Sequence, residues 1–239
     1  MKLFTIPNFL TLGNLFAGCL SILYITGFFG EDPKMISTAV MILMIISLVF
    51  DLLDGMVARL MKISSDIGVQ LDSLADMVSF GVVPGFMMVQ ILGKTNVQSF
   101  SELELFGLLI TLFSALRLAK FNVDTEQSSY FKGLATPANT LLIFSFYWLI
   151  QNNGIIFSEK FDNLFLLIIT FVTSLLLIAN LPLFSFKLKG FSWKDNDFIY
   201  IFLIICLILL ILFKIASIPF IILTYIIISI IFRKNIINA

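Results

Sequence analysis

"DLLDGMVARLMKISSDIGVQLDSLAD", residues 51–76, carries five aspartates inside a chain that is 59% hydrophobic. Apolar sequence flanks it on both sides, so it reads as the end of one membrane helix, a polar turn, and the start of the next. Asp51 lies eight residues before Arg59 and Asp76 eight residues after Gly68, which in an antiparallel hairpin puts both about 12 Å below the turn. Asp54 and Asp72 form a second, shallower pair. Asp51, Asp54, Gly55 and Ala58 follow i, i+3, i+4, i+7 spacing, and Gly68, Asp72 and Asp76 follow i, i+4, i+8. Each acidic face is therefore otherwise made of small residues. The fifth aspartate, Asp66, falls in the loop "KISSD" and is expected to be solvated or to cap the second helix.

Beyond this stretch, the chain of 239 residues has a mean hydropathy of +1.06, 27 Phe and 13% charged residues, which fits a polytopic membrane protein. Fifteen Lys plus Arg balance fifteen Asp plus Glu, and no basic stripe of the kind nucleic acid requires is present, so no nucleic-acid partner is expected. The sequence has no His, which restricts any catalysis to carboxylates, hydroxyls, Lys or Arg. Cys19 and Cys206 fall in apolar runs and read as small hydrophobes. The first apolar stretch, Ile6 to Phe29, is longer than a signal-peptide core and reads as a mature helix.

Eight segments satisfy the need for about 20 mostly apolar residues: roughly 7–28, 35–59, 68–92, 103–121, 136–151, 161–182, 198–213 and 215–232. Lys214, Ser217 and Pro219 divide the last two, where one bent element and a hairpin both fit. With the N-terminus in the cytoplasm, Lys2, Arg59, Lys62, Arg117, Lys120, Lys132, Lys187, Lys189, Lys194, Arg233 and Lys234 fall inside, and Lys34, Lys94, Lys160 and Lys214 outside. This positive-inside bias predicts that the 51–76 turn faces the cytoplasm.

Four intramembrane carboxylates cost on the order of 10 kcal/mol unless they are neutralised. Oxygen-only ligands suit hard divalent ions such as Mg²⁺, Mn²⁺ or Ca²⁺, and four carboxylates have the capacity for two. A dinuclear site between the two helices is the expectation. The competing reading from another class is a divalent-cation transporter, against which no acidic residue continues the path through the apolar core.

Written as D-x2-D-G-x2-A-R-x8-G-x3-D-x3-D, the stretch resembles the signature of the CDP-alcohol phosphotransferases. "IPNFLTLGNLFAG" at 6–18, "LDSLADMVSFGVVPG" at 71–85, "RLAKFNV" at 117–123 and "FKGLATPAN" at 131–139 are similar to the bacterial subgroup that transfers a phosphatidyl group to serine. The resemblance implies an all-α membrane fold: a six-helix core over residues 1–185, with 186–239 an extension of two further transmembrane helices. It also implies a homodimer in the bacterial cytoplasmic (inner) membrane, with the site facing the cytoplasm. Carried onto this sequence, Asp51, Asp54, Asp72 and Asp76 would hold two ions, Mg²⁺ or Mn²⁺, with Asp51 and Asp72 bridging. Asp76 would also be the general base; Gly55, Ala58 and Gly68 would line the nucleotide, and Arg59 would meet its phosphates. The implied substrates are CDP-diacylglycerol and L-serine.

The motif leaves the acceptor open, with glycerol 3-phosphate and inositol phosphate as alternatives. Ser79, Arg117, Lys120, Asn122 and Lys132 are the polar groups outside the hairpin on the expected cytoplasmic side. Arg117 and Lys120 read equally as ligands for a carboxylate or phosphate and as lipid-headgroup anchors. Asn8, Thr11 and Asn14 form an i, i+3, i+6 stripe that suits either the nucleotide or helix packing. The segments from 198 to 232 carry almost no polar chemistry, so truncation after Lys194 is expected to leave the chemistry intact.

Overall fold

A computed structural model describes residues 4–62, 65–95, 102–124, 130–153, 158–184 and 197–232. Among these, nine α-helices occur: α1 (Ile6–Ile25), α2 (Pro33–Leu60), α3 (Asp66–Met77), α4 (Val83–Thr95), α5 (Leu108–Val123), α6 (Thr136–Asn153), α7 (Glu159–Ile178), α8 (Asp197–Phe213) and α9 (Ile218–Ile231). Each of the eight expected segments contains an α-helix, but among the described residues fewer than eight meet the length and apolarity of a membrane span. Five helical stretches are long and apolar enough to cross a membrane, which makes this a multi-pass membrane protein. Lys2, Lys187, Lys189, Lys194, Arg233 and Lys234, which entered the charge count for orientation, lie outside the described residues, as does the expected boundary at 185/186.

Local chemistry explains where the helices start. Thr5 caps α1, its side chain accepting from the Asn8 N–H, and Pro7 occupies the first turn, where a missing N–H costs nothing. Asp32 caps α2 by accepting from the N–H groups of Lys34 and Met35. At α3 the cap is Ser65, whose Oγ accepts from Gly68 N at 3.1 Å. Of the two alternatives for Asp66 the solvated one holds: it is exposed and is the first helical residue, where its negative charge complements the helix dipole.

Residues 66–95 are one rod interrupted by a π-helical turn at Val78–Val82, immediately after Asp76. Such turns carry an extra residue and leave carbonyls poorly paired. Here the Thr140 hydroxyl lies 3.2 Å from the Phe80 carbonyl and the Thr111 hydroxyl donates to the Gly81 carbonyl at 3.0 Å.

The all-α expectation also misses a two-stranded antiparallel clip, β1 (Tyr130–Lys132) with β2 (Pro182–Phe184), pairing Tyr130 with Phe184. The helix expected to run to 182 stops at Ile178. Ala179 is extended and Pro182 follows, and neither continues a helix. Gly133, at φ +80, turns the chain out of β1, and a Cβ there would lie 2.7–2.9 Å from the carbonyls of Leu176, Leu177 and Ala179.

α8 and α9 fold back on one another. The Phe202 ring on α8 lies 5.9 Å from that of Tyr225 on α9, which a continuous 33-residue rod would hold far apart. The reversal occurs at Lys214, whose φ is +50.

The apolar core occupies the half of the bundle away from the α2–α3 turn. Val40 and Met44 of α2, Met87 and Ile91 of α4, and Ile143, Phe144 and Tyr147 of α6 are all buried. Leu142 to Tyr147 are buried without interruption, so α6 is enclosed on every face. The opposite half holds the carboxylates of the α2–α3 hairpin, while a smaller polar group, with Gln151 donating to Gln90 and Asn152 to Ser37, lies at the far end of the core.

Candidate metal and substrate site

α2 and α3 bring the aspartates together as their spacing implies, with one refinement. Asp51, Asp72 and Asp76 each direct one carboxylate oxygen into a group whose members lie within 4.8 Å of one another. The cluster thus draws on both expected depths, because Asp72 and Asp76 are one helical turn apart and Asp51 faces them from α2. Asp54, 6% exposed, lies within electrostatic range of Asp51, Asp72 and Asp76, but its Oδ2 accepts a 2.6 Å hydrogen bond from Thr11 Oγ1.

α1 is the third wall. Asn14 Nδ2 donates to Asp76 Oδ1 at 3.2 Å, and the Asn14 carbonyl accepts from Ser79 Oγ of the π-turn at 3.0 Å and from Ser47 Oγ of α2 at 3.3 Å. One residue thereby ties α1, α2 and the π-turn to the carboxylate. Asn8, Thr11 and Asn14 are all nearly fully buried, so their stripe faces inward. Asn8 Oδ1 approaches Gly68, lying 3.4 Å from where a Cβ on that residue would stand.

A cavity of about 360 Å³ opens beside the cluster, lined on one wall by Asn8 and Thr11 and on the other by Asp54, Gly55, Ala58, Arg59, Gly68 and Asp72. A Cβ placed on Gly55 would meet nothing within 4 Å, so this glycine borders open space. Arg59 is exposed at the rim and Lys62, at φ +53, joins it there. Small residues, an acidic floor and a basic rim thus frame one space.

The donor set fits divalent metal. Two oxygens on opposite sides of a hard cation lie about 4–5 Å apart at ligand distances of about 2.0–2.6 Å, close to the spread of the aspartate group. Asp72 Oδ1 is buried with no hydrogen-bond partner, a costly state for a carboxylate oxygen that a cation relieves.

The acceptor-side residues divide. Ser79 donates to Asn14; Lys120 Nζ donates to Asn180 Oδ1 at 2.6 Å and lies 3.3 Å from the Ile178 carbonyl, closing the end of α7. Asn122 Nδ2 donates to Ser73 Oγ at 2.8 Å, and Lys132 pairs with Asp124 at 2.9 Å. Arg117 differs. It is 8% exposed, its Nη1 reaches Thr136 Oγ1 at 3.4 Å, its Nε has no partner, and no carboxylate among the described residues lies within 4.0 Å. Asp76 and Tyr225 lie within its electrostatic range.

Two residues given no role in the sequence lie one turn from Arg117 or from its partner Thr136. Ser114, one turn before it on α5, and Asn139, one turn past Thr136 on α6, are completely buried, and Ser114 Oγ and both amide atoms of Asn139 lack partners. The signal for Asn139 was its place in "FKGLATPAN"; Ser114 had none.

An all-oxygen carboxylate cluster beside a small-residue cavity, in a helical membrane bundle, is an arrangement suited to holding divalent cations next to a bulky ligand. Sequence comparison narrows that reading: residues 4–184 match the CDP-alcohol phosphatidyltransferases, and the chain belongs to that family. A CDP-diacylglycerol–serine O-phosphatidyltransferase of Helicobacter pylori is 30% identical over 204 residues, 84% of this chain and 81% of its own. A protein of the same name from Methanocaldococcus jannaschii is 33% identical over 207 residues, 86% and 84% of the two chains. An archaetidylserine synthase of Methanothermobacter thermautotrophicus is 37% identical over 146 residues, 59% of this chain and 57% of its own.

Proposed function

We propose that this enzyme transfers the phosphatidyl group of CDP-diacylglycerol to the hydroxyl of L-serine, releasing CMP. The names of the relatives support serine, and the convergence of Asp51, Asp72 and Asp76 carries the reaction class. In this reading Asp51, Asp54, Asp72 and Asp76 hold two divalent ions, Mg²⁺ or Mn²⁺. When bound, the ions would neutralise the diphosphate and stabilise the charge that develops on the departing phosphate.

The chain's own residues do the rest. Gly55, Ala58 and Gly68 let the nucleotide lie against the helix backbones, and the Arg59 guanidinium at the rim meets a phosphate. Asn8 adds a polar contact on the α1 wall. Thr11 fixes one Asp54 oxygen and Asn14 one Asp76 oxygen, so neither carboxylate swings free. The serine hydroxyl attacks the lipid-bearing phosphorus, its proton passes to Asp76, and the bond to the CMP oxygen breaks. CMP then leaves as a stable anion.

Arg117 is assigned to the serine carboxylate. A guanidinium buried this far without a carboxylate partner among the described residues is costly, and an anionic substrate offsets that cost. Ser79, Lys120, Asn122 and Lys132, held by protein partners, support the acceptor side from behind. The reading includes the six-helix core with two added spans, a homodimer, and placement in a bacterial inner membrane with the site on the cytoplasmic side.

CMP release by the purified protein in detergent, with Mg²⁺ or Mn²⁺, CDP-diacylglycerol and a panel of serine, glycerol 3-phosphate, inositol and inositol phosphate, tests the proposal. Serine alone is expected to support turnover. Turnover only with a phosphorylated acceptor would refute the serine assignment, and metal uptake into lipid vesicles without any CDP-lipid would favour a transporter.

A further inference from the structure

The C-terminal hairpin looks from its sequence like lipid-facing ballast, yet α9 turns four residues inward: Ile222, Tyr225, Ile228 and Ser229 are buried. Two of them are polar, one turn apart, and both address the same residue. The Tyr225 hydroxyl donates to the Phe184 carbonyl at 2.9 Å, and Ser229 Oγ lies 3.4 Å from the Phe184 N–H. The Phe184 ring is clasped between Tyr225 at 4.7 Å and Phe202 of α8 at 5.5 Å.

Phe184 ends β2, the buried second strand of the clip. Its partner strand β1 runs within a few residues into α6, where Gly133 N donates to Leu181 O and Leu134 N to Leu176 O, both at 2.9 Å. α6 opens with Thr136, the hydrogen-bond partner of Arg117. A continuous set of contacts therefore runs from α9 through the clip to the helix end that holds the buried guanidinium.

We infer that the C-terminal hairpin completes the acceptor end of the site, with Tyr225 a positioning residue that sets Arg117 through Phe184, the β1–β2 clip and Thr136. This inference rests on the assignment of Arg117 to the acceptor. It assigns a function to a segment that lies beyond the family match at 184 and reverses the expectation that truncation after Lys194 is harmless. The hairpin is attached through polar contacts because a hydroxyl in a lipid-embedded helix finds no water, so a buried backbone carbonyl and N–H are its natural partners.

Tyr225→Phe keeps the ring and removes the hydroxyl. It is expected to raise the KM for serine about three- to tenfold, with kcat within about twofold of the parent and the KM for CDP-diacylglycerol unchanged. Ser229→Ala should shift the same constant in the same direction by less. In an Arg117→Lys background the Tyr225→Phe effect should vanish, since coupled residues are not additive. An unchanged serine KM in both single variants would overturn the inference. So would a parallel rise in both KM values, or an undiminished effect in the Arg117→Lys background. Should Tyr225→Phe fail to fold, Ser229→Ala carries the same test. If the parent enzyme uses another alcohol, the serine reading fails independently, and the hairpin is judged on the KM of that alcohol.

Discussion

Two helical hairpins divide the work of this protein. The α2–α3 hairpin is the more polar one: it commits four aspartates to a region of low dielectric and surrounds them with Gly55, Ala58 and Gly68. The α8–α9 hairpin is nearly pure hydrocarbon, and only 11% of its most apolar 18 residues are buried, against 28% for the most apolar 18 residues of α2. The first turns its carboxylates inward to one cluster, and the second faces outward over most of its length. In each, the informative residues are those that break the local rule: aspartates among leucines in one, Tyr225 and Ser229 among isoleucines in the other. Insertion cost explains why such exceptions mark function, since a polar group survives in a membrane helix only where something meets it.

The sharpest contrast should come from neutralising one carboxylate. Asp51→Asn or Asp76→Asn is expected to reduce CMP release by about 10³-fold or more while detergent melting stays near the parent value, and chelation should do the same reversibly. A variant that keeps a tenth of the activity would place the metal chemistry elsewhere. Next in size is Gly55→Leu, which projects into open space: the protein should fold normally, and the KM for CDP-diacylglycerol should rise on the order of tenfold or more. Loss of folding without loss of affinity would argue that the cavity is structural. Thr11→Val, which leaves Asp54 without its 2.6 Å donor, should weaken metal binding about tenfold, read by titrating Mn²⁺ against turnover. At the far end of the scale, Ile211→Ala and Leu212→Ala on the outer face of α8, 71% and 65% exposed, should change neither activity nor melting, within about 0.5 kcal/mol. A large effect there would reveal a covered face.

Periodicity and cost make the acidic hairpin legible in the sequence: spacing brings Asp51, Asp72 and Asp76 together with Asp54 beside them, and the charge they concentrate points to cations. The positions of the helices are readable too, because hydropathy varies on the length scale of a membrane span, though five rather than eight stretches among the described residues are long and apolar enough to cross. Three features are not. The π-turn after Asp76 depends on hydroxyls from other helices, Thr111 and Thr140, that no local pattern reveals. The β1–β2 clip pairs residues fifty or more positions apart in segments too short to show alternation. The separation of Arg117 from Lys120 and Lys132 requires knowing that Asn180 and Asp124 occupy the two lysines. Tyr225 and Ser229, at i and i+4 on an isoleucine-rich helix, carry a signal that the overwhelming hydropathy of the segment hides.

Everything assigned to the acidic hairpin depends on two ions sharing its four carboxylates. Electron paramagnetic resonance of the purified protein titrated with Mn²⁺ in the presence of CDP-diacylglycerol measures this directly. Two equivalents per chain with an exchange-coupled spectrum are expected, and Asp51→Asn should abolish the coupling; a single uncoupled ion, or a coupled pair that persists in Asp51→Asn, would contradict the two-metal site.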